Sequence, residues 1–309
     1  MVALVALVVV AISAGGGSRP GVAGRSPGAP ASLPAARAPF PVDEIDLTYV
    51  DSTRSMSLRS GAREPRRLVT RVLVPAAPTG ERVPGPFPLI VFGHGFALSP
   101  QTYWSLLTAW ARAGYIVAAP VFPLENSATP GGPTQVDLSN QPGDMAFIIT
   151  RLLEATAAGR PPLGGLIDAN RIAVAGHSDG GDSALALAEG PNRDHRVSAA
   201  LIMAGAELPG VGLDGGGPPL LAIQGTADPV NAPAATDAFF GALGRPKYLV
   251  RLLGASHIPP YSSQQPQLSV VQRVTLAFLD RYLKGGRSAA DALSRAGNTA
   301  GIAALTSDP

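Results

Sequence analysis

The sequence predicts an α/β fold, with a mostly parallel central sheet and helices on both faces. Short apolar runs rich in strand-forming residues alternate with segments of helical periodicity along most of the chain. The chain has 309 residues, 46% of them apolar, so it can bury one large core. Glycine-rich turns follow several of the apolar runs. In such sheets these turns lie at the carboxyl edge, where binding and catalytic sites are found.

Eight apolar segments are predicted to be strands, since each is short and rich in β-branched residues: 44–50, 67–74, 88–92, 115–119, 171–175, 197–203, 218–224 and 248–253. Helices are predicted after Ser99-Pro100 and over 143–158, 181–189 and 269–283. Core positions are predicted for four side chains at helical spacing, Tyr103, Leu106, Leu107 and Trp110. Asp144 is predicted to be a surface residue.

The chain divides into four predicted parts. Residues 1–14 contain a continuous apolar run followed by small residues, which is typical of a signal peptide, although no basic segment precedes the run. Residues 15–41 are rich in Gly, Pro, Ala and Ser and are predicted to be a flexible linker. Residues 42–285 form the predicted catalytic domain, and 286–309 a C-terminal tail with room for one short helix. The protein is therefore predicted to be secreted, with an uncleaved anchor as the alternative.

The most informative motif is Gly176-His-Ser-Asp-Gly180, which fits G-x-S-x-G. The strand-like run Arg171–Ala175 precedes it and the helix former Gly181–Glu189 follows it. This strand–turn–helix context is what a nucleophile elbow requires, because the glycines allow a sharp turn that exposes the serine. The motif predicts Ser178 as a catalytic nucleophile.

The order of residues along the chain selects the general base. Hydrolases that carry this elbow on an α/β sheet place the serine first, then an acid, then a histidine. The chain has four histidines, and His94 and His177 precede Ser178. His195 lies in a polar loop and is predicted to be solvated. His257 follows the last predicted strand, so it is the predicted base.

The acid is predicted by its place at a strand end. Asp228 follows the buried strand 218–224, at the carboxyl edge of the sheet. Since Pro229 comes next, Asp228 could alternatively serve only as a helix cap. Asp214 lies in a glycine-rich loop, and Asp237 falls within the next helix. Asp228 is therefore the predicted partner of the histidine.

An oxyanion hole is predicted from two backbone N–H groups. The strand 88–92 is followed by Gly93-His-Gly-Phe96, and such an early loop supplies one donor in this kind of site. The residue after the nucleophile supplies the other. The predicted donors are the N–H groups of Phe96 and Asp179, whereas His94 is predicted to fix the loop by hydrogen bonding.

Together these motifs resemble the α/β-hydrolase superfamily, nearest to the branch of dienelactone hydrolases, platelet-activating-factor acetylhydrolases and actinobacterial cutinases. The matching stretches are Gly93–Phe96, Gly176–Gly181, Gly225–Asp228 and Ser256-His257. The resemblance implies a serine esterase or lipase without a cofactor. Polyester hydrolases of this branch often have methionine after the nucleophile and often have disulfides, whereas this chain has Asp179 and no cysteine.

Composition limits the other functions. A net charge of +2 gives no reason to expect nucleic acid binding. Zero cysteine excludes disulfides, thiolate catalysis and zinc–cysteine sites, and no histidine or carboxylate cluster has ligand spacing, so no metal is expected. A monomer without a stable membrane anchor is predicted.

The predicted cleft is open. Only 14 residues, 204–217, separate two predicted strands near which many lipases insert a cap, so no cap domain is expected. The segment 122–141 is the one candidate flap. The predicted function is a secreted carboxylic-ester hydrolase that favours small esters. Polyester or lipid hydrolysis, another reaction of the same triad, and a non-catalytic binding protein are the alternatives.

Overall fold

A computed structural model describes residues 39–77, 85–286 and 288–309 of the chain. The predicted signal peptide and the linker up to residue 38 lie outside these ranges. The described residues form one sheet of nine strands: β1 (Val42–Ser57), β2 (Arg63–Pro75), β3 (Phe87–Gly93), β4 (Ile116–Pro120), β5 (Ile167–His177), β6 (Val197–Met203), β7 (Leu220–Gly225), β8 (Lys247–Leu252) and β9 (Ala303–Asp308). The first eight correspond to the eight predicted strands.

The centre of the sheet is parallel and its two edges are antiparallel. The strand order is β1-β2-β4-β3-β5-β6-β7-β8-β9, with parallel pairing from β4 through to β8. The hairpin β1–β2 joins one side through β4, and β9 pairs antiparallel with β8 on the other. The predicted α/β class with a mostly parallel sheet is confirmed.

The part of the chain that the structure describes has seven α-helices, which cover both faces of the sheet: α1 (Trp104–Arg112), α2 (Gln141–Ala157), α3 (Asp179–Glu189), α4 (Pro233–Ala242), α5 (Pro259–Ser262), α6 (Gln267–Leu283) and α7 (Ala289–Gly297). Short 3₁₀ turns precede α1 and α2, at Pro100–Tyr103 and Gln135–Asn140. Helices α1, α6 and α7 pack into one apolar cluster, and α2, α3 and α4 into another on the opposite face. Among the helices of the described ranges, none is long and apolar enough to cross a membrane.

The predicted C-terminal tail is part of the folded domain. Helix α7 buries Leu293 and Ala296 against α6, and β9 then completes the sheet beside β8 along six paired residues. Residues 288–309 therefore extend the predicted domain 42–285. The prediction of a tail was wrong because the short sequence of β9 has few β-branched residues, and its pairing partner supplies most of its order.

Asp144 is fully buried, contrary to the prediction of a surface position. It lies in the first turn of α2, where its carboxylate accepts two hydrogen bonds from Arg66, at 2.7 and 2.5 Å. Arg66 is also fully buried and donates two further hydrogen bonds to Asp137. Buried charges of opposite sign offset each other's desolvation only when they are paired in this way. The network fastens the segment before α2 to β2.

The candidate flap 122–141 is attached to the body of the protein at several points. Its middle is held by the Arg66–Asp137 pair, and Gln135 donates a hydrogen bond to Asp179 at 2.7 Å. The other predicted feature of the cleft is present as well. Residues 204–219, which connect β6 to β7, form turns and contain no helix.

Candidate active site

Ser178 lies at the sharp turn between β5 and α3. Its backbone has φ 55° and ψ −129°, a region that non-glycine residues rarely adopt. The turn brings the chain so close to itself that a Cβ added at Gly176 would overlap the carbonyl oxygen of Gly180. A Cβ at Gly180 would in turn overlap the carbonyl oxygen of Gly93. Only glycine fits both positions, which explains the spacing of the motif.

The structure brings the three predicted triad side chains together. His257 Nε2 lies 2.9 Å from Ser178 Oγ, and His257 Nδ1 lies 2.7 Å from Asp228 Oδ2. All three residues are buried, and each follows the end of a different strand at one edge of the sheet. The Asp228 carboxylate can only accept, so Nδ1 carries the proton and Nε2 is left to accept one from the serine.

The turn after β7 fixes the Asp228 carboxylate. Its Oδ1 accepts the backbone N–H groups of Val230 at 2.8 Å and Asn231 at 3.0 Å. Its Oδ2 accepts a side-chain hydrogen bond from Gln224 at 3.2 Å in addition to the histidine. The cap-like bonds to Val230 and Asn231 thus coexist with the histidine contact, so the two alternative roles of Asp228 are combined in one carboxylate.

The two predicted oxyanion donors are next to Gly95 and Ser178 in sequence, and a Cβ added at Gly95 would lie 3.1 Å from the Cβ of Ser178. Asp179 begins α3, where the first N–H groups have no partner within a helix. The N–H of Phe96 donates no hydrogen bond within the described residues. The next residue, Ala97, has a positive φ of 57°. Successive backbone N–H groups in the loop after β3 therefore do not alternate in direction as they do in a strand. Phe96 itself is 37% exposed beside the serine turn.

His94 holds this loop as predicted and does not reach the serine. Its Nε2 accepts the N–H of Phe122 at 3.0 Å, so its Nδ1 donates to the carbonyl of Gly95 at 2.9 Å. Burial lowers the pKa of His94 to about 4. The ring is therefore neutral near pH 7, as this pair of hydrogen bonds requires. His195 is exposed, as its polar loop predicts.

His177 lies beside the triad, a position for which the sequence analysis assigned it no role. Its Nε2 donates to the backbone carbonyl of His257 at 2.8 Å, and its Nδ1 accepts from the Tyr103 hydroxyl at 2.7 Å. The same hydroxyl accepts the N–H of Gly95 at 3.3 Å. A chain of hydrogen bonds thus joins the oxyanion loop to the backbone of the base. Burial, and then the nearby His257, lower the pKa of His177 to about 3, so its ring stays neutral.

Carboxyl groups gather on the other side of the serine. Asp179 accepts a hydrogen bond from Gln135, and Glu125 faces it from the segment after β4. Asp182, one turn further along α3, accepts the N–H of Ala206 at 2.6 Å. Burial is the main cause that raises the pKa of Glu125 to about 8 and that of Asp182 to about 7, and Asp179 raises both further. Glu125 was not singled out from the sequence.

No group of three or more His, Cys, Asp or Glu side chains in the described ranges is arranged to hold a metal ion. Among these carboxyl groups, that of Asp179 accepts a hydrogen bond from the Gln135 amide and that of Asp182 accepts one from the Ala206 N–H.

The mostly parallel sheet, the helices on both of its faces and the sharp serine turn after β5 are those of the α/β-hydrolase fold. The Chlorophyllase family model matches residues 54–206, about half of the chain, which include Phe96 and Ser178 and end before Asp228. A ferulic acid esterase from Streptomyces cinnamoneus is similar in structure, with a TM-score of 0.63 and 23% identity over 82% of this chain and 93% of that one. None of the curated proteins compared matches the chain. The protein is an ester hydrolase with the α/β-hydrolase fold.

Proposed function

We propose that the protein is a secreted serine esterase that cleaves small carboxylic esters through Ser178, His257 and Asp228. The observation that carries the proposal is the continuous hydrogen-bonded series of serine, histidine and carboxylate at 2.9 and 2.7 Å. A serine hydroxyl is a weak nucleophile on its own, and a neutral histidine within hydrogen-bond reach activates it.

In the proposed mechanism, Ser178 Oγ attacks the ester carbonyl carbon while His257 Nε2 takes the hydroxyl proton. The N–H groups of Phe96 and Asp179 stabilise the tetrahedral anion, with an effect of roughly 3–4 kcal/mol per donor. His257 then protonates the departing alcohol, which leaves an acyl-enzyme. A water molecule, activated by the same histidine, attacks the acyl carbon and releases the acid. Asp228 keeps the ring oriented and stabilises its charged form.

Small esters are the proposed substrates because, in the described part of the chain, the connection between β6 and β7 contains no helix that could form a cap. Aromatic acyl esters are the second candidate, including polyesters. The exposed Phe96 ring beside the oxyanion loop is the observation that favours them, since it offers a flat face for stacking. The structural similarity to a protein named ferulic acid esterase makes feruloyl esters the appropriate probe of this class.

The test compares p-nitrophenyl acetate, butyrate and palmitate with methyl ferulate, a peptide substrate and a polyester film. Hydrolysis of the short esters together with stoichiometric labelling of Ser178 by an organophosphonate is expected. Labelling of a different serine, or turnover of the peptide alone, would contradict the proposal.

Export is proposed from the apolar run within residues 1–14. Expression of the full chain in a bacterial host, followed by N-terminal sequencing of protein from the medium, tests it. Removal of the apolar run is expected, whereas an intact N-terminus on cell-associated protein would contradict export.

A further inference from the structure

Glu125 lies between the two proposed oxyanion donors. Its backbone carbonyl accepts the N–H of Ala97 at 2.8 Å, and Ala97 directly follows Phe96. Its side chain faces the carboxyl group of Asp179, the residue whose N–H is the second donor. One residue therefore links both halves of the hole, through its main chain on one side and its carboxyl group on the other.

The surrounding loop makes this link rigid. Phe122 donates its N–H to His94, and Ser127 donates its N–H to the carbonyl of Leu98 at 3.2 Å. The segment on either side of Glu125 is thus bonded to the loop that contains Phe96. A displacement of the Glu125 side chain relative to α3 would therefore also move that loop, because these hydrogen bonds connect the two segments.

No cation of the described ranges is paired with the Glu125 carboxyl group. The residue is 1% exposed, and within the described ranges neither carboxyl oxygen has a hydrogen-bond partner of standard geometry. The same holds for Nε2 of Gln141, the amide group that faces it. An ionised carboxylate in such a place is costly, whereas a neutral acid supplies an O–H group that a neighbouring carboxylate can accept.

Two acids face Glu125: Asp179 at the start of α3 and Asp137 on the 3₁₀ turn before α2. Asp182, one turn further along α3, faces Asp179. Asp144 lies on α2 and Arg66 on β2. The Arg66 guanidinium is bonded to both Asp137 and Asp144, so its charge is already matched. The neighbourhood therefore favours the uncharged form of Glu125, in agreement with the pKa of about 8.

We propose that Glu125 is a positioning residue that acts as a neutral carboxylic acid, donating a hydrogen bond to Asp179 and so fixing the separation of the two oxyanion donors. The inference rests on the proposed ester hydrolysis. When Glu125 ionises, two carboxylates oppose each other and the first turn of α3 is pushed away from the Phe96 loop. The hole then fits the tetrahedral anion less well, and this lowers kcat more than it changes KM.

The direction of the pH effect follows from this. A loss of kcat is expected as the pH rises through about 8, where Glu125 ionises. The pKa of Glu125 is higher in the folded protein than in an unfolded chain, where it is about 4.3. Protonated Glu125 therefore stabilises the fold fully below about pH 4.3, and this contribution is lost as the pH rises to about 8.

The experiment measures kcat and KM for p-nitrophenyl butyrate from about pH 6 to about pH 10, with the enzyme-free rate subtracted. In the wild type, kcat is expected to fall several-fold above pH 8 at nearly constant KM. Glu125→Gln cannot ionise and keeps a donor toward Asp179, so it should retain most of kcat at neutral pH and lose the alkaline fall. Glu125→Ala is expected to lower kcat on the order of tenfold, less than the loss of a whole donor.

Glu189→Gln is the matched control. Glu189 is also a buried glutamate whose pKa is raised by burial, but it lies at the far end of α3 and accepts the N–H of Gly217. Its variant should keep the wild-type pH profile. An alkaline fall in Glu125→Gln equal to that of the wild type would overturn the proposal, as would an equal loss of that fall in Glu189→Gln.

A readout that does not depend on activity is the infrared band of a protonated carboxylic acid at neutral pH. The difference spectrum of wild type minus Glu125→Gln should contain this band, and its absence would overturn the proposal. If the wild type itself failed to hydrolyse esters, the proposed function would be wrong, while the infrared result would still decide whether Glu125 is neutral.

Discussion

The two sides of Ser178 differ in how their polar groups are satisfied. On the side of His177, the donor and the acceptor of the ring each have a matching partner, and its low pKa leaves one protonation state near pH 7. On the side of Asp179, the carboxyl groups of Glu125 and Asp182 have raised pKa values of about 8 and 7. The residues that support the proposed base therefore keep one charge state around neutral pH, whereas those that support the proposed oxyanion hole change theirs.

The largest effect is expected from substitutions that remove the proposed reacting groups, which lie between the two sides. Ser178→Ala and His257→Ala should each reduce kcat by about 10⁴-fold or more, since the residues act as one unit. Both side chains lie on loops at the sheet edge, so circular dichroism and the unfolding midpoint should remain close to wild type. Near-normal turnover by either folded variant would falsify the mechanism. The kcat of the double variant should be no lower than that of the less active single variant.

Asp228→Asn tests the carboxylate behind the histidine and is expected to cost around 10⁴-fold in kcat. The amide can still accept the N–H groups of Val230 and Asn231, so the turn is preserved. It can also donate to His257 Nδ1, however, which stabilises the wrong tautomer. Asp237→Asn, in the exposed ion pair with Arg251, is the control and should be active. A benign Asp228→Asn would move the acid to another residue.

The positions of the three candidate triad residues could be predicted from the sequence better than the residues that support them. Ser178, Asp228 and His257 each follow a strand with a clear apolar pattern, and chain order separates them from their competitors. In the fold the three side chains lie within hydrogen-bond distance of one another in the predicted order.

The supporting residues were missed because their partners are distant in sequence. The Arg66 side chain meets Asp137 and Asp144 across more than 70 residues, and Tyr103 meets His177 across 74. A single charged residue on an amphipathic helix has the same pattern whether it is solvated or paired inside, so Asp144 was assigned to the surface. The strand-adjacent position of Glu125, directly after an apolar run, was the one available signal.

On the histidine side, Tyr103→Phe should lower kcat by roughly tenfold or less, because the base shifts only slightly. The change leaves His177 Nδ1 and the Gly95 N–H without their partner in a buried place. A loss of about 1–3 kcal/mol in the free energy of unfolding is expected. The control is Tyr248→Phe, whose hydroxyl bonds Tyr282 far from the serine. Equal losses of kcat in Tyr103→Phe and Tyr248→Phe would mean that the Tyr103 hydroxyl does not position the base.

On the carboxyl side, Asp182→Asn should change kcat only a few-fold but alter the pH dependence of stability. Because its folded pKa of about 7 lies above that of an unfolded chain, Asp182 stabilises the fold fully at low pH and ceases to do so as the pH rises to about 7. The associated change in the free energy of unfolding is at most about 4 kcal/mol. Urea titrations at several pH values should give a flatter profile for the variant.

Asp214→Asn provides the comparison for that profile. Asp214 forms an exposed ion pair with Arg193, and such pairs contribute little to stability. Its variant should follow the wild-type pH profile. If Asp182→Asn did the same, the carboxyl side would be no more sensitive to pH than the histidine side.

The smallest expected effect concerns the substrate and the rim where the two sides meet. Phe96→Ala should lower kcat/KM for methyl ferulate by about threefold relative to p-nitrophenyl butyrate, because one stacking contact of modest energy is lost. The N–H of residue 96 remains in the variant, so the oxyanion donor itself is retained. Val50→Ala is the control, since Val50 is an exposed apolar residue on the edge strand β1. An equal change for both substrates would mean that Phe96 shapes the loop and does not contact the acyl group.

The uncovered cleft also predicts no rate jump when p-nitrophenyl palmitate passes its solubility limit. A strong preference for palmitate with such a jump would mean that a lipid surface opens the site, and the segment 122–141 would then have to move despite its bonds to Arg66 and Asp179.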